Sequence, residues 1–178
     1  MRARRSGFSL DSLGVVPRIL LTTDGTLTHI LEAYAVEPVY LVKLSHAMVT
    51  DPLVRVSLGL GEHERALRRV ILLRGAKSDA TFVYADSVVM LDRLPAMVVE
   101  GLLKTEIPIG KLLFSCRAET YREILAMGEE QDPGVAAHFG VEGSEPLVSR
   151  TYQIVFEDRP VTRITEKFPR ASFHDTGI

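Results

Sequence analysis

Between Thr26 and Tyr34 the apolar residues Leu27, Ile30, Leu31 and Tyr34 fall at i, i+3, i+4 and i+7, the spacing of one helix face. A second short helix is expected over Pro17 to Thr23, separated from the first by the turn-forming pair Asp24-Gly25. Val39 to Val49 is rich in β-branched and aromatic residues, follows Pro38 and stops at Asp51-Pro52, which is the pattern of a strand. Asp51 to Glu64, with Gly59 and Gly61, reads as a loop. Arg65 to Arg74 and Thr81 to Leu91 are two further strands joined by a hairpin-length Gly-Ala-Lys-Ser-Asp connection. Pro95 to Lys104 carries proline at a favoured helix start. Pro108 to Phe114 is a compact turn or short helix, and a strand is expected within Ser115 to Met127. Asp132-Pro133 opens a short helix that runs to Phe139 and ends at Gly140. Leu147 to Glu157 and Val161 to Phe168 form the last strand pair around Glu-Asp-Arg-Pro. Strands that come in hairpin pairs, rather than alternating with helices, predict an α+β domain with a mostly antiparallel sheet.

Strand side chains alternate between faces, so the parity of a charged residue says where it points. In Arg65 to Arg74 one face carries Leu67, Arg69, Ile71 and Leu73, and Arg68 lies on the other. In the last strand Thr162, Ile164, Glu166 and Phe168 share a face. Arg69 and Glu166 are thus single charges on apolar faces. An unpaired buried charge costs several kcal/mol, so each needs a partner or a polar ligand. Two readings follow: a structural ion pair across the sheet, or an anion site beside a carboxylic acid kept protonated by desolvation.

Composition narrows the function classes. The 178 residues are 46% hydrophobic and 25% charged, within the range of one ordinary globular domain. With 21 basic and 23 acidic residues the net charge is -2, so no overall field favours nucleic acid or an anionic membrane. No apolar run reaches transmembrane length. The single Cys116 has no disulfide or C-x-x-C partner, which suits a reducing cytoplasm. Arg2, Arg4 and Arg5 precede no apolar signal segment, and residues 1–12 and 171–178 are expected to be terminal tails around a domain of residues 13–170. His29, His46, His63, His138 and His174 show no metal-ligand spacing. Gly59-Leu-Gly61 lacks the third glycine of a dinucleotide fingerprint, and no nucleophile-elbow motif is present.

Five segments carry a family resemblance: Leu20 to Glu32 (LLTTDGTLTHILE), Arg69 to Gly75 (RVILLRG), Val88 to Pro95 (VVMLDRLP), Pro108 to Phe114 (PIGKLLF) and Val161 to Phe168 (VTRITEKF). In consistent order over residues 13–170, they resemble the chorismate pyruvate-lyase family, and most closely its actinobacterial members. The resemblance implies a single six-stranded antiparallel sheet with helices packed on it and a small site closed from solvent by flaps. It implies an enzyme that cleaves chorismate to 4-hydroxybenzoate and pyruvate without a metal, nucleotide or flavin cofactor. Arg69 takes the place of the arginine that grips the ring carboxylate, and Glu166 that of the catalytic glutamate. Leu27 and Ile109 match apolar residues that line the flaps, and a flap loop is expected near Asp51 to Glu64. The turn before the last strand looks one residue longer than in the enterobacterial lyase, which leaves the register from Pro160 to Glu166 open.

His138 to Pro169 also resembles the effector-binding domain of GntR-type regulators, so a non-catalytic ligand-binding module stays open. So does a related enzyme that makes a different product from chorismate. The expected partner is therefore a small molecule, chorismate, and not nucleic acid or membrane; the residues carry no indication of oligomeric state.

Overall fold

In the computed structural model, which describes residues 8–173, prolines, glycines and charged turns cut the chain into short elements. The strands are β1 (Val39–Met48), β2 (Ala66–Gly75), β3 (Thr81–Met90), β4 (Thr120–Glu130), β5 (Leu147–Phe156) and β6 (Arg159–Pro169). The helices are α1 (Val15–Thr22), α2 (Leu27–Ala35), α3 (Pro52–Ser57), α4 (Ala96–Lys104), α5 (Ile109–Ser115) and α6 (Pro133–Ala136). All six strands join one sheet in the order β1-β2-β3-β6-β5-β4, with every neighbouring pair antiparallel. Two three-stranded meanders are thereby joined along β3 and β6, which is the α+β architecture expected from paired strands.

One face of the sheet holds the core. Leu67, Leu73, Val83, Val148, Ile154 and Phe168 pack against Leu20 and Leu21 of α1, Leu27 and Leu31 of α2, Val98 and Leu102 of α4, and Leu112 and Leu113 of α5. The helical spacing in α2 is realised: Leu27 and Leu31 are buried, and Ile30 and Tyr34 pack on the core beside them. Each fully buried leucine stabilises the fold by about 1.5–3 kcal/mol relative to exposure, so the helices are held by this face more than by their own short lengths.

The connections carry their own chemistry. Gly25 N donates to Thr23 Oγ1 at 3.0 Å and breaks α1 from α2. The Glu37 carboxylate accepts from Ser78 N at 2.9 Å, Ser78 Oγ at 2.6 Å and Lys77 N, which pins the β2–β3 turn. A side chain on Gly75 would collide with that carboxylate, so close approach requires glycine there. The β5–β6 turn uses Glu157 and Asp158 at φ 49° and 59°, the left-handed pair of a tight two-residue hairpin. The register left open near Pro160 is fixed by a bulge: Ile154 pairs with Thr162 and Val155 with Pro160, so Val161 is the extra residue. The two edge strands are also interrupted, β1 between Lys43 and Ser45 and β4 between Ile124 and Ala126.

Two expectations change. Asp51 to Glu64 is not a plain loop, because Asp51 accepts from Leu53 N at 2.8 Å and caps α3, where Pro52 occupies the first turn. Packing also extends beyond residues 13–170: Leu10 forms part of a 3-10 turn and packs on the core, and Phe173 is buried edge-on to Tyr34 and Phe168. Arg2, Arg4, Arg5 and His174 lie outside the described residues, as do residues 1–7 and 174–178 of the two expected tails.

Candidate active site

The helix-covered face of the sheet holds a cavity floored by β2, β3, β5 and β6 and roofed by the starts of α2 and α5. Arg69, Glu166, Leu27 and Ile109 all line it. Strand alternation explains the first two, since Arg69 shares its face with Ile71 and Leu73, and Glu166 with Ile164. Arg68, on the opposite face, instead meets Asp86 at 2.6 Å with its side chain 58% exposed. The roof segments touch: a side-chain carbon on Gly110 would sit 3.2 Å from Thr26 Cγ2, and Lys111 bridges to Glu32 at 2.7 Å. No residue of the 51–64 segment lines the cavity, whereas the starts of α2 and α5 do.

The two inward charges live in different surroundings. Arg69 is 2% exposed, and its Nε and Nη2 have no hydrogen-bond partner. Burial pulls its guanidinium down from its ordinary value, yet an arginine stays charged. His46, opposite Arg69 in the β1–β2 register, has its imidazole held below the usual range by burial and then by Arg69, so it offers the arginine no counter-charge. Glu166 is 5% exposed and doubly held: Arg150 Nε donates to Oε2 at 2.7 Å and Tyr152 Oη donates to Oε1 at 3.0 Å. Burial, followed by the Glu166 charge, raises the Tyr152 phenol far above its ordinary value and keeps it a donor. Both glutamate oxygens thus accept a hydrogen bond.

The register shows which of the inward charges pair. Arg150 stands directly opposite Glu166 in the β5–β6 ladder, whereas Arg69 stands opposite Ser87 with β3 between it and β6. The ion pair of Glu166 is therefore with Arg150, and among the described residues Arg69 has none. Arg150, Tyr152 and Arg122 were missed from the sequence. Val148, Arg150, Tyr152, Ile154 and Phe156 share parity, so the signal that marked Arg69 was present in β5 too. Arg122 lies on the edge strand β4, ahead of its bulge; its Nη1 donates to Asp24 O at 2.6 Å and its Nε is buried without a partner.

A larger concavity, lined by Met97, Cys116, Glu119, Tyr121, Phe156 and Asp158, is open to solvent. It contains no buried charge and is a poorer place for orientation and water exclusion. Among the described residues no group of three or more His, Cys, Asp or Glu is placed to hold a metal ion, and no helix is long and apolar enough to cross a membrane.

Comparison with known proteins bears on the family and the fold. The chain is 32% identical over 163 residues to a chorismate pyruvate-lyase of Mycobacterium tuberculosis, covering 89% of this chain and 81% of that one. It is 35% identical over 164 residues to the Mycobacterium leprae chorismate pyruvate-lyase, covering 89% and 76%. Among solved structures, the effector domain of PhnF from Mycobacterium smegmatis superposes with a TM-score of 0.62 at 14% identity, over 82% of this chain and 88% of that one. The ligand-binding domain of a GntR-family regulator from Bordetella bronchiseptica gives 0.57 at 17% identity, over 76% and 85%. At such identities these two establish a shared fold alone. The model of the Rv2949c-like chorismate pyruvate-lyases matches residues 21–174, and with the mycobacterial relatives this makes the chain a member of that family.

Proposed function

We propose that this chain is an enzyme, a lyase that splits chorismate into 4-hydroxybenzoate and pyruvate. The observation that carries the reading is the pairing, within one roofed cavity, of unused guanidinium donors on Arg69 with the doubly held carboxylate of Glu166. Chorismate is a cyclohexadiene with a ring carboxylate and an enolpyruvyl ether. Arg69 presents the donors such a carboxylate needs. Leu27 and Ile109 close over the ring and exclude water.

In this reading Glu166 removes the hydrogen on the ring carbon beside the ether carbon. The pair from that C–H bond enters the ring as its third double bond, and the ether C–O bond breaks with its pair on oxygen. The departing enolpyruvate takes the proton back from Glu166 at its methylene carbon and becomes pyruvate, so the proton count closes without an outside acid. Arg150 and Tyr152 hold the glutamate in place through this exchange. Aromatisation supplies the driving force, so orientation and dryness suffice and no cofactor is called for. Cys116, without a disulfide or metal partner, suits a cytoplasmic setting.

The test is to mix purified protein with chorismate and identify the products by mass. Equimolar 4-hydroxybenzoate and pyruvate are expected. Another aromatic product would indicate a redirected enzyme, and binding without turnover would indicate an effector-type module; either outcome rejects the proposal.

A further inference from the structure

Arg122 has no part in the reaction just described, yet it projects into the same cavity as Arg69 and Glu166. Its alternation partner in β5 is Ile154, which also lines the cavity. One arm is anchored, with Nη1 on Asp24 O at 2.6 Å, while Nε is buried and unpartnered. Its Nη2 lies 3.5 Å from where a side chain on Gly110 would begin, and glycine leaves that space clear under the roof. No carboxylate of the chain pairs with Arg122 among the described residues. The cavity therefore holds two guanidiniums, Arg69 on β2 and Arg122 on β4, with unused donors and three strands between them. Its one carboxylate, Glu166, is already held by Arg150. Arg69 is buried and Arg122 half-buried, so two guanidiniums with unmet donors are costly, and a ligand with two carboxylates would offset both.

We infer that Arg122 is a second substrate-binding residue, the seat of the side-chain carboxylate of a dicarboxylate ring ether, while Arg69 takes the ring carboxylate. The inference rests on the lyase reading and adds a division of labour to it. The aromatic product keeps only the ring carboxylate. The other carboxylate leaves in pyruvate, so the substrate spans both arginines, 4-hydroxybenzoate engages one, and departure of pyruvate frees Arg122. Because Nη1 of Arg122 is fastened to the α1–α2 turn, the substrate's second carboxylate also draws on the segment that leads into the roof.

The experiment compares chorismate kinetics with 4-hydroxybenzoate affinity in wild type, Arg122→Met and Arg122→Lys. Loss of one charge-assisted contact predicts a fall in kcat/KM on the order of 10- to 100-fold in Arg122→Met, with product Kd within about threefold of wild type. Arg122→Lys, which restores the charge, should recover most of the loss. Product affinity also reports that the variant is folded. A wild-type measurement guards against variants that fail to fold: 3-(carboxymethoxy)-4-hydroxybenzoate should bind at least about tenfold more tightly than its side-chain methyl ester. Unchanged kcat/KM in Arg122→Met, equal loss of substrate and product affinity, or equal binding of acid and ester would overturn the inference. Absence of chorismate turnover by the wild type would instead remove the lyase reading beneath it.

Discussion

Two arginines with little-exposed side chains do opposite things. The Arg93 side chain, 8% exposed, has all three nitrogens engaged: Nε and Nη2 meet the two oxygens of Glu64 at 2.7 Å, Nη2 also reaches Gly59 O at 3.1 Å, and Nη1 reaches Pro160 O at 3.0 Å. Arg69, 2% exposed, leaves Nε and Nη2 without partners. A guanidinium whose nitrogens are all engaged by its own chain joins elements together; here it bolts the 51–64 excursion to the start of β6. One whose donors are unmet is a cost to folding, and a ligand repays it. The accounting of each donor is what separates the two kinds of arginine.

The largest effect expected on the binding side is from Glu166→Gln, which keeps the shape but cannot carry a proton. Turnover of chorismate should fall by roughly 10²- to 10⁴-fold in single-turnover assays, with 4-hydroxybenzoate affinity much less altered. A variant with normal turnover would make Glu166 no more than the partner of Arg150. Next comes Arg69→Met, for which titration calorimetry should register a loss of about 2–4 kcal/mol in product binding. Its thermal midpoint should stay level or rise, because an unpaired buried charge has been removed. Arg68→Ala is the control on the other face and should bind normally; the reverse outcome would place the binding arginine one residue away.

On the structural side Arg93→Met should lower folding stability by about 2–3 kcal/mol in urea titration while ligand affinity of the folded protein holds. If binding were lost and stability kept, the contrast between the two arginines would fail. The smallest effect is one of pH. Hydrogen bonding from Arg93, reinforced by Gly61 N, holds the Glu64 carboxyl at about 2 against an ordinary 4.5. A carboxyl lowered on folding stabilises the native state above its unfolded value, and that contribution fades as pH falls through the folded one. The difference in melting temperature between wild type and Glu64→Gln should accordingly be full above about pH 5 and shrink steadily towards pH 2. A constant difference across that window would assign the clasp to packing rather than charge.

Local rules made much of the molecule legible. Parity in β2 and β6 pointed Arg69 and Glu166 inward because alternation is a property of each strand by itself. The same rule applied to β5 would have found Arg150 and Tyr152. Arg122 was harder, since the bulge after Ile124 breaks the alternation of β4 and its limits were not readable from mixed periodicity. The partner of each charge was not legible at all. That Glu166 belongs to Arg150 follows from register, a relation between distant segments that no single segment specifies. The 51–64 segment shows the same limit: its glycines read as a loop, while the contacts that fasten it, from Arg93 and Arg159 to Glu64, come from 29 and 95 residues away. A glycine in a loop says what the backbone can do, and tertiary contacts decide what it does.

The bulges at Leu44 and Leu125 bear on how the molecule behaves in a crowded solution. An open sheet has two unpaired edges, here β1 and β4, and each is a template on which another chain could add a strand. Each is broken near its middle, so the unbroken ladder runs only from Val39 to Lys43 or from Ser45 to Met48 on one edge, and from Thr120 to Ile124 or from Ala126 to Glu130 on the other. A bulge bends and twists the strand, so an incoming strand would lose registry after about one such run. Protection against strand addition is thus built into the backbone: deleting Leu44 or Leu125 would straighten an edge and favour fibrillar association.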